Sequence, residues 1–486
     1  MESLHRELAG FRVTSSPLLP NFSLEGLFAE VTSVTIIKEN ARRQVIYLQT
    51  PTNGYFLKLS VLSRRKDRWR HFLLPYRKWA EWRNLHRLWN ARIPAAKPLA
   101  KGSRKGPSTG AFFLLTEQVP GATLKFDSIK DAFIIGEYAA FLHSKGVYHA
   151  DLNRNNIIIT PQSRLCLIDV QEVIFLPWIP QRLRVHNLGR ILFNFYSLSD
   201  PEKWAGELLK GYNKDVFKLL NASAVIKAAG RHQQRKYRSR ARRCCKNSTE
   251  FVGIKTAGLK GYRRRSFQWD EQDLRQALEK GQPLKGNHVI HYQDICVKKH
   301  PRRFLRDRCL ISWKMSRALE VRGIEVPPSL AYYVMDNTSH FMAEFLVDRL
   351  HLNTFLSALS DETLKRRALQ KLALWLRKFH DTHVWQRDFK SSNILCQNGD
   401  YFMVDLDGVR IRHLSKQNKI YNLAQLNASV SNAITIKDRL RFYHYYSAGH
   451  QLTRLQRRAV YRKVWNITRT KNTALYDLFP EKFELG

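Results

Sequence analysis

The chain of 486 residues is 44% apolar and 12% aromatic, too long for one ordinary core, and its composition excludes disorder as a whole-chain description. Its 82 basic and 41 acidic residues leave a formal charge of +41, a field that attracts polyanions: nucleic acid, an anionic membrane or a phosphorylated glycolipid. Cys166, Cys244, Cys245, Cys296, Cys309 and Cys396 show no ligand-type spacing, and no uninterrupted apolar run reaches the roughly 18 residues a spanning helix needs. Met1 to Arg6 lacks the pattern of a secretory signal, so the expected setting is cytoplasmic, in solution or against a membrane face.

Residues 31–61 alternate in the manner of strands, through Val34, Ile36, Val45 and Tyr47 to Tyr55-Phe56-Leu57-Lys58-Leu59, a strand with an embedded Lys58. Residues 75–90 place Tyr76, Trp79, Trp82, Leu85 and Leu88 at helical spacing, with Glu81 on the same segment. Phe112 to Glu117 is an apolar strand ending in Glu117, and residues 128–145 form a helix that runs into His149-Ala150-Asp151-Leu152-Asn153-Arg154-Asn155-Asn156. Leu167-Ile168-Asp169 closes the next apolar strand, and a helix opens at Asn187-Leu188-Gly189-Arg190. Residues 227–246 then hold nine Lys and Arg, read as an anion-binding segment or as a solvated linker or helix face.

Beyond that stretch the same landmarks return in the same order. Ile295 to Lys298 answers the first Lys strand, Phe341 to Glu344 the strand ending in Glu, and Gln386-Arg387-Asp388-Phe389-Lys390-Ser391-Ser392-Asn393 the loop. Val404-Asp405-Leu406 and Asn422-Leu423-Ala424-Gln425 complete the set. In each copy an Asn follows the loop Asp by five residues, and the second Asp follows it by 18 or 17. Repetition over so long a period is domain duplication rather than a solenoid. The expected fold is α+β: two tandem protein-kinase-like bilobal domains, each with a β-rich N-lobe and a helical C-lobe. We place them at residues 1–225 and 246–486, with a basic linker at 226–245. The basic stretch from Arg454 to Lys463 reads as a surface helix.

This spacing belongs to kinase-type phosphoryl transfer, which requires charge neutralisation, metal positioning and a base beside the acceptor hydroxyl. Asp151 and Asp388 are the candidate catalytic carboxylates. Asn156 with Asp169, and Asn393 with Asp405, are the candidate Mg²⁺ ligands. Lys58 and Lys298 would hold the phosphates of ATP, with Glu81 pairing Lys58, and Glu117 and Glu344 mark the adenine-contacting hinges. Gln386 stands where the first copy has His149, and Ser312 aligns with Glu81, so Lys298 is expected to be held differently or its copy to be weak. Neither copy has a G-x-G-x-x-G loop.

On these residues the chain resembles the bacterial lipopolysaccharide (Kdo/WaaP-type) kinases. Gly146-Val147-Tyr148-His149-Ala150-Asp151-Leu152-Asn153 is similar to the Kdo-kinase branch, and Arg387-Asp388-Phe389 with Val404-Asp405-Leu406-Asp407-Gly408 to the heptose-kinase branch. The resemblance implies ATP- and Mg²⁺-dependent phosphorylation of a core heptose or Kdo on a lipopolysaccharide or other anionic glycolipid. It also implies peripheral attachment to the cytoplasmic face of the inner membrane. The competing readings are a protein or small-molecule kinase of the same fold, and a pseudokinase binding anionic glycolipid or nucleic acid. No nucleic-acid-binding motif is legible, so nucleic acid is not the expected partner.

Overall fold

The computed structural model describes residues 10–20, 22–40, 43–62, 78–104, 110–124, 128–195, 200–214, 220–302, 306–431, 434–448 and 452–471. Tyr76, read above as part of an amphipathic helix, lies outside them. The chain divides into two compact units, Met1–Gln234 and Arg235–Gly486.

The first unit opens with a six-stranded antiparallel sheet built from β1 (Arg12–Ser15), β2 (Ser33–Asn40), β3 (Arg43–Gln49), β4 (Gly54–Leu62), β5 (Pro98–Arg104) and β6 (Gly110–Glu117). Their order across the sheet is β1-β5-β6-β4-β3-β2. Alternation sends Leu57 and Leu59 of β4 into a core with Leu48, Phe113 and Phe28 of α1 (Leu24–Glu30). Lys58, between them, therefore emerges on the opposite face, flanked in register by Val45 and Leu114. The helix α2 (Ala80–Asn90) buries Trp82, Leu85 and Leu88 and carries Glu81 in its first turn.

The helical lobe follows the short strand β7 (Ala122–Thr123). The helix α3 (Ile129–Ser144) starts at a capping box of Ser128 and Asp131, which satisfies donors at its N-terminus. Then come β8 (Val147–His149), β9 (Ile157–Ile159), β10 (Leu165–Leu167), β11 (Val173–Phe175), α4 (Gln181–Phe193), α5 (Pro201–Asn213) and α6 (Ala222–Ala241). Two glycines let α3 and α5 approach closely: a Cβ on Gly136 would lie 2.1 Å from Leu208 O, and one on Gly211 would lie 2.1 Å from Phe133 O. The segment 226–245, expected as a linker, is helical. It forms most of α6 and a 3-10 turn at Arg242–Cys245, and the division between the units falls inside α6. Val225, Ala228, Ala229 and His232 are buried there while Arg231, Arg235, Lys236, Arg238 and Arg240 are exposed, the pattern of a half-solvated helix.

The second unit repeats the plan with a seven-stranded antiparallel sheet. Its strands are β12 (Phe251–Lys255), β13 (Lys260–Arg264), β14 (Gln282–Lys285), β15 (Val289–Tyr292), β16 (Ile295–Pro301), β17 (Ser329–Met335) and β18 (Thr338–Glu344), in the order β12-β13-β17-β18-β16-β15-β14. The helix α7 (Glu271–Lys280) precedes β14, and α8 (Arg308–Glu320) takes the place that α2 holds in the first unit. Trp313 of α8 is fully buried, edge-on to Phe251 at 5.6 Å, with its indole N–H donated to Cys244 O. Beyond β19 (Leu350–His351) the lobe contains α9 (Leu352–Ala358), α10 (Glu362–Asp381), β20 (Val384–Gln386), β21 (Ile394–Gln397), β22 (Asp400–Met403), β23 (Val409–Ile411), α11 (Lys416–Ser429), α12 (Ile436–Ser447) and α13 (Arg454–Lys471). Each unit thus joins a sheet lobe to a helical lobe, the α+β layout of a protein-kinase-like domain, present twice in tandem. Among the described residues no helix is long and apolar enough to cross a membrane.

Candidate active site

In the first unit β8 and β11 pair antiparallel, which fixes His149 at the mouth of the loop that carries Asp151. The loop is braced from within. Asp151 N–H donates to His149 Nδ1, Asn153 Nδ2 donates to Asp151 Oδ1 at 3.1 Å, and Asn156 Nδ2 donates to Asp151 O at 2.8 Å. Helix α4 braces it from outside. Asn187 Nδ2 donates to His149 O at 2.8 Å, while Arg190 donates to Ala150 O and forms an ion pair with Asp151 Oδ1. These contacts fix a partly exposed carboxylate through its Oδ1 and its backbone.

Behind the loop His143 is buried, its Nε2–H donated to Asn187 Oδ1 at 3.0 Å and its Nδ1 accepting from Tyr212 O–H at 2.9 Å. Burial pushes the His143 and His149 imidazoles down to about 4. Both rings are therefore held neutral at pH 7.

Asp169 follows β10 in the left-handed region, with φ 53° and ψ 57°, and Asp405 takes nearly the same conformation, with φ 57° and ψ 56°. Such a backbone is uncommon outside glycine, and it recurs at the same step of both units. Lys58 reaches Glu81 in an ion pair, with Arg43 at 3.8 Å from the other carboxylate oxygen. The first unit thus brings Lys58 to Glu81 and Asn156 to Asp151. Glu117 ends β6 with its backbone N–H donated to Lys97 O at 2.9 Å.

The second unit keeps this frame with different side chains. Asn393 Nδ2 donates to Asp388 O at 2.9 Å, Asn422 Nδ2 donates to Gln386 O at 2.7 Å, and His380 Nδ1 lies 2.8 Å from Tyr446 O–H. Gln386 covers the role of His149 and adds a contact: its Oε1 accepts from Arg387 N–H, and its Nε2 donates to Asp405 O at 3.0 Å. Gly408 makes room for that amide, since a Cβ there would lie 2.3 Å from Gln386 Oε1. At the position of Arg190 stands Gln425, which bonds to backbone, and Asp388 instead pairs with Lys390 at 2.7 Å.

Lys298 has no helix carboxylate, because Ser312 turns its hydroxyl to Arg308 O within α8. It binds Asp405 Oδ1 at 2.6 Å and lies 3.9 Å from Asp407, a buried carboxylate that pairs with Arg308 of α8. Burial alone would raise the Asp405 carboxyl, but the cations Lys298 and Arg308 outweigh it and hold it below the usual carboxylate value.

A cavity of about 670 Å³ opens beside Lys298 in this unit, within the range of nucleotide-sized sites. Val289, Phe341, Leu346 and Met403 line its apolar part; Asn393 and Asp405 line its polar part, and Glu344 stands at its border. For a metal the donors fit in kind. Each Asn spends its N–H on the loop carbonyl, so its Oδ1 has no hydrogen bond among the described residues, and with the neighbouring Asp it offers the hard oxygen set that Mg²⁺ takes alongside phosphate oxygens.

A family model described as the lipopolysaccharide kinase (Kdo/WaaP) family matches residues 32–212 and 297–446. No curated protein matches the chain. Among solved structures, a spectinomycin phosphotransferase in complex with ADP and spectinomycin is 9% identical with a TM-score of 0.31, covering 46% of this chain and 88% of its own. A thermostable mutant of an aminoglycoside phosphotransferase is 12% identical with a TM-score of 0.28, covering 45% and 89% respectively. The bifunctional kinase-methyltransferase WbdD is 16% identical with a TM-score of 0.23, covering 38% and 47%.

Proposed function

Because the chain belongs to the lipopolysaccharide kinase (Kdo/WaaP) family, and is an ATP-dependent phosphotransferase on that ground, we propose that its acceptor is a hydroxyl of an inner-core sugar, a heptose or Kdo. The observation that carries this reading is the braced loop present in both units, Asp151 with Asn156 and Asp388 with Asn393, inside the two regions the family model matches.

In this reading Asp151 and Asp388 accept the proton of the acceptor hydroxyl, and their loops hold that geometry before the acceptor arrives. Lys58 and Lys298 neutralise phosphate charge in ATP, and Glu81 orients Lys58. Asn156 with Asp169, and Asn393 with Asp405, would hold Mg²⁺, which when bound supplies charge neutralisation along the phosphates. Glu117 and Glu344 end the strands that border adenine. The charge of +41 supports an anionic acceptor at the cytoplasmic face of the inner membrane, where basic surface is attracted to acidic lipid.

The Lys298–Asp405 pair favours a second reading for the second unit alone, as a copy that binds nucleotide and acceptor without turnover. The test of the acceptor is product analysis. Lipopolysaccharide core stripped of phosphate is incubated with ATP and Mg²⁺, and phosphorus NMR then locates any new phosphomonoester. A new signal on heptose or Kdo supports the reading; phosphate appearing only on protein or on a small molecule refutes it.

A further inference from the structure

A second, smaller cavity lies in the second unit where the end of β16, the start of α8 and the catalytic loop meet. It measures about 310 Å³, and its lining is His300, Pro301, Arg306, Arg308 and Arg387, with no carboxylate among them. Arg306 and Arg387 are exposed, and neither guanidinium has a hydrogen-bond or ion-pair partner among the described residues. Arg308 engages Asp407 through Nε, which leaves the other edge of its fork for a second partner. His300 is only 8% exposed, and its Nε2 has no hydrogen-bond partner. A buried ring nitrogen without a partner costs free energy unless a ligand completes it.

Three guanidinium groups around one cavity repel each other, and such a cluster is relieved by a multivalent anion. Arginine forks match phosphate oxygens two at a time. Burial, and after it the cations Arg308 and Lys298, push the His300 imidazole down to about 4 against the opposing pull of Asp407. Arg387 directly precedes Asp388, so the pocket borders the loop that carries that carboxylate.

We propose that this pocket binds a phosphate monoester already carried by the anionic acceptor, and so orients the sugar toward Asp388. The assignment of the phosphate to the acceptor rests on the acceptor reading above; the pocket's affinity for phosphate does not.

The test has two arms, both on the full chain, with ADP filling the nucleotide sites. In the first, inorganic phosphate is titrated calorimetrically into wild type, Arg306→Gln and Arg387→Gln; both arginines are exposed, and a melting curve checks that each variant folds. The expected result is saturable binding that weakens about tenfold or more in each variant and falls with salt. Equal binding in all three proteins, or none in wild type, overturns the site.

In the second arm, transfer is measured to phosphate-bearing and to dephosphorylated lipopolysaccharide core. A KM rise in the variants confined to the phosphate-bearing core supports the acceptor as the source. An equal rise for both cores, or no rise for either, overturns that source. If wild type phosphorylates neither core, the acceptor reading fails, while the phosphate titration still decides the pocket.

Discussion

Replacing Asp407 by Asn tests how the second unit manages without a helix glutamate. The carboxylate is almost fully buried, 3% exposed, with Arg308 on one side and Lys298 Nζ 3.9 Å away on the other. At that separation an effective dielectric of about 20 gives an attraction of about 4 kcal/mol for the lysine alone, an upper figure for the loss. Two features reduce it. Lys298 keeps its 2.6 Å bond to Asp405, and the Arg308 side chain, 45% exposed, rehydrates when released.

The net cost should therefore fall to about 2–3 kcal/mol, between a charge-assisted hydrogen bond and a fully broken buried pair. For a unit of this size that lowers its melting transition by about 5–10 °C. Calorimetric unfolding of wild type, Asp407→Asn, Arg308→Gln and the double variant gives the coupling, expected at about 1–2 kcal/mol. Unfolding within about 0.5 kcal/mol of wild type, with no coupling in the cycle, would refute the idea that Asp407 and Arg308 replace the helix carboxylate.

Three further outcomes follow from the first unit. Glu81→Gln, made in an Asp388→Ala background so that only the first site is read, should lower kcat/KM for ATP by about a hundredfold through misplacement of Lys58; unchanged turnover would remove Glu81 from the site. His143 and His149 bind protons only near pH 4 when folded but near 6.5 when unfolded, so stability present above that window is lost as pH falls through it, by at most about 3 kcal/mol per histidine. Melting curves of His143→Gln across the same range should show a shallower slope, and an equal slope would mean that this ring is not held neutral. Gly136→Ala places a methyl 2.1 Å from Leu208 O and should destabilise the α3–α5 contact by about 1–3 kcal/mol, whereas an unchanged melting temperature would show that the helices separate freely.

The sequence made the loops legible because an Asn five residues after an Asp can turn back on the same short turn, as Asn156 and Asn393 do on the carbonyls of Asp151 and Asp388. The embedded lysines were legible for a similar reason: a charged residue between Leu57 and Leu59 has only the face away from their core. The helix landmarks Asn187 and Asn422 were visible as repeats, but not their work of tying α4 and α11 to the catalytic strands. Arg190 was hidden because it lies 39 residues beyond Asp151 and reaches it only through the fold.

Asp407 with Arg308 was less visible still. The two are 99 residues apart, and each alone reads as a solvated charge. Asp407-Gly408 after Asp405 was the one available signal, since a second carboxylate beside a glycine needs a reason. For residues 226–245 the density of Lys and Arg suits a linker and a solvated helix face alike, and only Val225, Ala228, Ala229 and His232, which give α6 a buried face, decide for the helix.

The account stands most directly on the two loop carboxylates. Phosphate transfer from labelled ATP to dephosphorylated lipopolysaccharide core should be measured with Mg²⁺ for wild type, Asp151→Ala, Asp388→Ala and the double variant, each checked for folding. The account predicts that the double variant is inert and that the single variants divide the activity between the units; transfer at the wild-type rate by the double variant would contradict it.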